Sequence, residues 1–170
     1  MNKKSARTLL VLSALVMALV ISPAAVSYPN GIQGVKDSGC NCHGAVTSSE
    51  VVPSITGLPD QYNYSETYEI TVSFVGGPSD PSNINQGGFN LWVSDGELSP
   101  SDATVQSYSV NEVSHTEAGN DQTSWTMTWT SPSSDRNVEF VLHTNSVNGN
   151  ADGANGCLLY TSPSPRDSLS

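Results

Sequence analysis

Beyond its first 27 residues the chain carries almost no helix signal, and what replaces it is alternation. Tyr68, Ile70, Val72 and Phe74 are separated by Glu69, Thr71 and Ser73, and Phe89, Leu91 and Val93 by Asn90 and Trp92. Trp125, Met127 and Trp129 flank Thr126 and Thr128, and Val138, Phe140 and Leu142 alternate with Glu139, Val141 and His143. A period of two sends successive side chains to opposite faces of an extended strand. It is the pattern of a strand buried on one side only. Weaker runs at 51–55, 104–108 and 112–115 add three more strands, and clusters of Gly, Pro, Asn, Asp and Ser lie between them. Seven short strands in about 100 residues predict an all-β fold, an antiparallel immunoglobulin-like β-sandwich. Its strands should point apolar side chains inward and Thr and Ser toward water.

Both ends fall outside that pattern. Lys3, Lys4 and Arg7 precede an apolar run from Leu9 to Ile21, and Ala25-Val26-Ser27 supplies small residues, so 1–27 reads as a signal peptide. The run is shorter than the roughly 20 residues of a membrane span, and the rest of the chain is expected to be exported. At the other end, Cys157 to Asp167 reproduces, residue by residue, one reading frame of a common transposase-type sequencing adapter. Residues 157–170 are therefore set aside as adapter-derived. On this reading the native chain is cut at Gly156, and a further strand and any envelope anchor lie beyond it. Cys157 then has no part in the thiol chemistry.

Residues 28–156 suit one domain with one core. They hold two basic residues, Lys36 and Arg136, against fifteen Asp and Glu, a net charge of −13. Such a surface repels nucleic acid and anionic lipid. It suits solubility in salty water, or a cationic partner. Asn63-Tyr64-Ser65 is an N-glycosylation sequon, relevant where the host modifies exported proteins.

Residues 28–47 lack periodicity and read as an irregular N-terminal arm, and 48–156 as the sandwich. The arm carries Cys40-Asn41-Cys42-His43-Gly44. Two thiols and an imidazole at this spacing admit three chemistries. In covalent haem attachment, Cys40 and Cys42 form thioethers and the adjacent His43 is the proximal iron ligand. The single residue between the cysteines is one fewer than in the usual C-x-x-C-H signature. Alternatively, Cys40 and Cys42 close a small, strained and readily reduced disulfide, which an oxidising compartment permits. The third is a zinc site that borrows His115 or His143 to complete four ligands.

A second axial ligand for haem would come from His115, His143 or Met127. Met127, between two tryptophans, reads as core, and His143 as an outward-facing surface histidine. His115 lies at a strand end beside a polar loop. Asn148 to Gly153 imitates the first half of a calcium loop, but the flanking helices such a loop requires are absent, so a turn is expected and calcium is not. Residues 76–88 form a long polar loop, a usual place for binding. No Ser-His-Asp set, phosphate loop or His-Glu-x-x-His stretch occurs, so no enzyme activity is expected.

The stretches Gly39 to Gly44, Gly87 to Leu91, Val113 to Thr116, Ser124 to Pro132 and Val147 to Asn150 span most of the exported region in order. In them the chain resembles the exported Reeler-like β-sandwich proteins of bacteria and archaea sometimes labelled choice-of-anchor V domain proteins. The resemblance implies a cell-surface or envelope sandwich with a haem-attachment motif at Cys40, Cys42 and His43. It implies His115 as a position of the family's pattern and a C-terminal anchoring segment; apart from the resemblance, a redox partner or a surface ligand is expected. It implies no settled activity.

Overall fold

A computed structural model describes residues 29–37, 50–78 and 84–147, together with the backbone of 156–162 and 166–167. Nine strands make two antiparallel sheets. β1 (Val52–Thr56), β3 (Thr67–Val75), β8 (Ser124–Thr130) and β5 (Glu97–Pro100) lie side by side in one. β10 (Gly156–Ser162), β9 (Phe140–Ser146), β4 (Gly87–Val93), β7 (Glu112–His115) and β6 (Val105–Ser109) make the other. The two-residue β2 (Gln61–Tyr62) pairs in parallel with β11 (Arg166–Asp167). One short 3₁₀ turn, Glu117–Gly119, is the helical element among the described residues. The expected all-β sandwich is thus the observed architecture.

The alternation decides which side chains meet. Ile70, Val72 and Phe74 from β3 and Trp125, Met127 and Trp129 from β8 face Phe89, Leu91 and Val93 from β4 and Phe140 and Leu142 from β9. Trp129 meets Phe140 edge-on at 5.1 Å and Tyr62 edge-on at 5.6 Å, and Phe89 lies 4.8 Å from Trp125. Each buried indole N–H finds a backbone carbonyl: Trp125 donates to Gly119 at 2.7 Å and Trp129 to Asp95 at 3.2 Å. That removes the cost of burying a polar atom among apolar ones.

The opposite face of the four-stranded sheet is hydroxylated, as expected. Ser54 and Ser73 (2.8 Å), Thr71 and Thr126 (3.1 Å) and Thr67 and Thr130 (2.9 Å) hydrogen-bond across neighbouring strands.

Three details differ from the sequence reading. β5 has no counterpart in it, because four residues ending in Pro100 offer too little periodicity, and proline is tolerated there only because β5 is an edge. The strand expected at 138–142 begins at Phe140 and runs to Ser146, although Val138 is still buried. Gly156–Ser162, within the segment read as largely adapter-derived, pairs along β9 from Gly156 opposite Ser146 to Ser162 opposite Phe140. Ladder bonds are made by backbone groups that every residue except proline supplies, so this pairing is indifferent to the origin of those residues.

Replacing Trp129 with Ala should cost about 3–5 kcal/mol in urea unfolding. Thr128→Ala, one residue along on the hydroxylated face, should stay within about 0.5 kcal/mol. Equal losses would contradict the assignment of the two faces.

Candidate functional site on the arm-covered sheet

The outer face of the five-stranded sheet is set by the residues that alternate with the core set: Asn90 and Trp92 on β4, Glu112 and Ser114 on β7, Val141 and His143 on β9. The register places Asn90 between Ser114 and His143, and Trp92 between Glu112 and Val141. Much of this face is shielded from water, because residues 29–37 of the arm cross it from β6 to β9.

The crossing is pinned at every strand. At β6, Gln106 Nε2 and Tyr108 Oη donate to the Asn30 carbonyl, the latter at 2.9 Å. At β7, Gly31 lies so close to Ser114 that a Cβ would come within 2.3 Å of its hydroxyl oxygen. Gly31 also has φ of +70°, where a side chain is strained, so this contact requires glycine. At β4, Asn90 Nδ2 donates both to the Ile32 carbonyl (2.8 Å) and to Glu112 Oε1 (2.9 Å), and the same oxygen accepts the Gly34 N–H at 2.7 Å. Val35 is buried, and the Lys36 ammonium sits 3.8 Å from the centre of the Trp92 ring. At β9, the Lys36 carbonyl lies 3.2 Å from His143 Nε2.

His143 therefore departs from the expectation of a surface histidine. It is only 6% exposed, and Asn90 beside it 2%. Burial pushes the His143 pKa below its ordinary value, against a smaller opposing effect of the hydrogen bond to Lys36. A carbonyl cannot donate, so Nε2 carries the proton and Nδ1 keeps its lone pair. Among the described residues, no group takes up that lone pair, nor the Asn90 Oδ1.

His115 stands on the other side of β4. Its Nδ1 lies 3.1 Å from both the amide nitrogen and the carbonyl oxygen of Phe89. The ring thereby takes over a ladder position where β7 ends. It lies over Gly88, where a Cβ would fall 2.3 Å from Cε1. Burial also lowers the His115 pKa, outweighing the Phe89 hydrogen bond. In the tautomer protonated at Nδ1, the carbonyl holds the ring and Nε2 presents a lone pair. Each imidazole is thus neutral and tied to the backbone through one nitrogen, the arrangement that orients a histidine as a metal ligand.

Of the residues singled out from the sequence, Cys40, Cys42 and His43 lie outside the described residues, as do 148–153 of the calcium-like run. Met127 is fully buried in the core, as expected. The described chain leaves the arm at Asp37, one residue past the Lys36 carbonyl on His143, and resumes at Glu50, whose carbonyl abuts Gly76. Among the described residues no group of three or more His, Cys, Asp or Glu is placed to hold a metal ion. The residues missed by sequence reasoning are Asn90 and Glu112, which hold the arm. Their one signal was a pair of apolar residues, Trp92 and Val141, at positions the alternation assigns to water.

No protein-family model matches the chain, and no curated protein does. Among solved structures it is similar to the human F-spondin reeler domain at 18% identity, covering 72% of this chain and 91% of that one, with a TM-score of 0.45. A structure of the Reelin-N domain of F-spondin gives 19% identity, 69% and 87% coverage and a TM-score of 0.44. AvmM, which catalyses macrocyclization in alchivemycin A biosynthesis, gives 13% identity, 73% and 92% coverage and a TM-score of 0.42.

Two outcomes follow from the arm's attachment. Asn90→Ala should speed hydrogen exchange at the Gly34 amide and destabilise the domain by about 1–3 kcal/mol, since it strips a donor from buried acceptors. Acid should also weaken the fold. The two histidines titrate near 6.5 when unfolded and lower when folded, so below about pH 6.5 the unfolded chain binds more protons. Stability in urea should accordingly fall as pH drops from 7.5 to 5.5, and His143→Gln should make that fall shallower.

Proposed function

We propose that this chain is an exported, surface-associated β-sandwich module. Its N-terminal arm would carry one covalently attached haem c and serve electron transfer or another redox-linked task at the cell surface. Cys40 and Cys42 are the thioether donors, His43 the proximal ligand and His115 the second axial ligand. The observation that carries this reading is the pinned arm. Shortly before Ser38, Val35 is buried and Lys36 is held on the sheet by a cation–π contact and by its carbonyl on His143. The sandwich thus serves as a rigid mount for whatever follows in the next few positions.

The chemistry of the donors fits the group. His115 is largely desolvated and held at Nδ1 by the Phe89 backbone, and in the tautomer that donates from Nδ1 to the Phe89 carbonyl, Nε2 is left as the donor atom. Bound haem would supply one-electron chemistry. The chain's own contribution is to fix the arm, orient the imidazole and keep water from it. Export rests on the leader, and among the described residues no helix is long and apolar enough to cross a membrane.

A second reading is a non-enzymatic adhesion or binding module closed by a Cys40–Cys42 disulfide. One observation favours it: Ile84, in the 76–88 loop, is 53% exposed, with Asn85 beside it at φ of +56°. Expression of residues 28–156 with haem-attachment machinery separates the two. The haem reading expects a Soret band that survives denaturation and a protein mass raised by one haem. A mass lowered by two hydrogens, with no Soret band, would leave the disulfide module in its place.

A further inference from the structure

We infer that Asn63 is a site of N-linked glycosylation. The sequon Asn63-Tyr64-Ser65 forms the turn between β2 and β3, and the structure gives it the three properties that transfer of a saccharide to a folded or folding chain requires. The first is access. Asn63, Tyr64 and Ser65 are all exposed, Tyr64 to 52% in spite of its ring. The second is a fixed presentation. The Asn63 N–H donates to Tyr68 Oη at 2.8 Å, and its carbonyl accepts Ser131 Oγ at 2.5 Å. The Ser65 N–H donates to the Pro132 carbonyl at 3.0 Å. Its left-handed backbone, φ of +55°, keeps the turn tight. The main chain is therefore held from both sides while the amide side chain stands off the surface.

The third property is a replaceable partner. The Asn63 Nδ2 donates at 2.5 Å to Glu66 Oε2, an exposed carboxylate three residues on. Both groups stand in water, so losing that contact leaves no buried polar atom unpaired. Among the described residues, Nδ2 makes no hydrogen bond besides that one. Attachment at this nitrogen would thus cost the fold little.

Placement in the sandwich agrees. The turn sits beside Thr67 and Thr130, at the end of β8 opposite Trp125, whereas His115 packs beside Trp125. Seven residues of β8 at about 3.3 Å each put roughly 20 Å between those ends. A bulky hydrophilic chain there would cover the exposed Tyr64 at the end of β8 away from His115.

In the transfer, the Asn63 amide nitrogen forms a bond to the anomeric carbon of a lipid-phosphate-linked saccharide. The bond from that carbon to the phosphate oxygen breaks, the lipid phosphate leaves with the electron pair, and the amide proton passes to the transferase. The Ser65 hydroxyl supplies the contact two residues on that the enzyme needs to engage the amide.

The test uses the secreted protein recovered from the cells that make it, with intact mass and peptide mapping as readouts. The wild type should carry saccharide mass on the peptide containing Asn63 on most molecules. Asn63→Gln and Ser65→Ala should each abolish it, the latter with the Asn63 side chain intact. Both variants should unfold in urea within about 0.5 kcal/mol of enzymatically unmodified wild type. An unmodified Asn63 peptide in the wild type, or saccharide mass that persists in either variant, would overturn the assignment.

Discussion

Everything else in the domain depends on strand β8 turning Trp125, Met127 and Trp129 to one side. All three are buried, each 1% exposed or less. Their partners come from both layers: Phe89 and Phe74 around Trp125, Phe140, Tyr62 and Tyr68 around Trp129. A slip of one residue in β8 would bring Thr126 and Thr128 into that space and put two indoles in water. The register with β3 and β5 is therefore fixed on the inside by aromatic volume. On the outside it is fixed by hydroxyl pairs such as Thr71–Thr126, which form only in the same register. Local alternation and tertiary packing ask for the same arrangement, which is the condition for a unique fold.

That agreement explains what could be read in advance. Strands 3, 4 and 8 could be read from sequence because each has one face of large apolar side chains and is long enough for the period to show. β5 could not, because a four-residue edge strand draws its position from the strand beside it. The same limit hid the arm. A segment without a period gives no sign of where it lies, and residues 29–37 find their place partly through backbone carbonyls at Asn30, Ile32 and Lys36, which any residue would offer. The receiving side did leave a trace in Trp92 and Val141. An indole and a valine opposite each other on a face assigned to water indicate a cover.

The histidines show how such a cover changes chemistry. Alternation correctly gave His143 an outward direction, yet outward here means beneath the arm. A side chain that would titrate freely on an open sheet is instead desolvated and held neutral. His115 reaches a similar state by another route, replacing part of the β4–β7 ladder with its own ring at a point where Gly88 leaves room. Neither state follows from the residue type or its position in a strand. Both follow from what the backbone next to it lacks: a water layer in one case, a Cβ in the other.

Charge explains why so much rests on packing. Residues 28–156 have two cations to set against fifteen carboxylates, so attractive pairs cannot be numerous. Arg136 reaches Asp95 at 3.7 Å with both side chains largely in solvent, a geometry that contributes little. The other cation, Lys36, is not spent on a carboxylate at all. It lies on Trp92, where it covers an indole that the alternation leaves outside the core and helps hold the arm in place. A cation on an aromatic face suffers less from salt than one paired across water, because its partner is a fixed quadrupole in van der Waals contact, while screening acts mainly over longer distances. In so acidic a domain, the attachment of the arm is thus entrusted in part to contacts that a saline medium leaves largely intact.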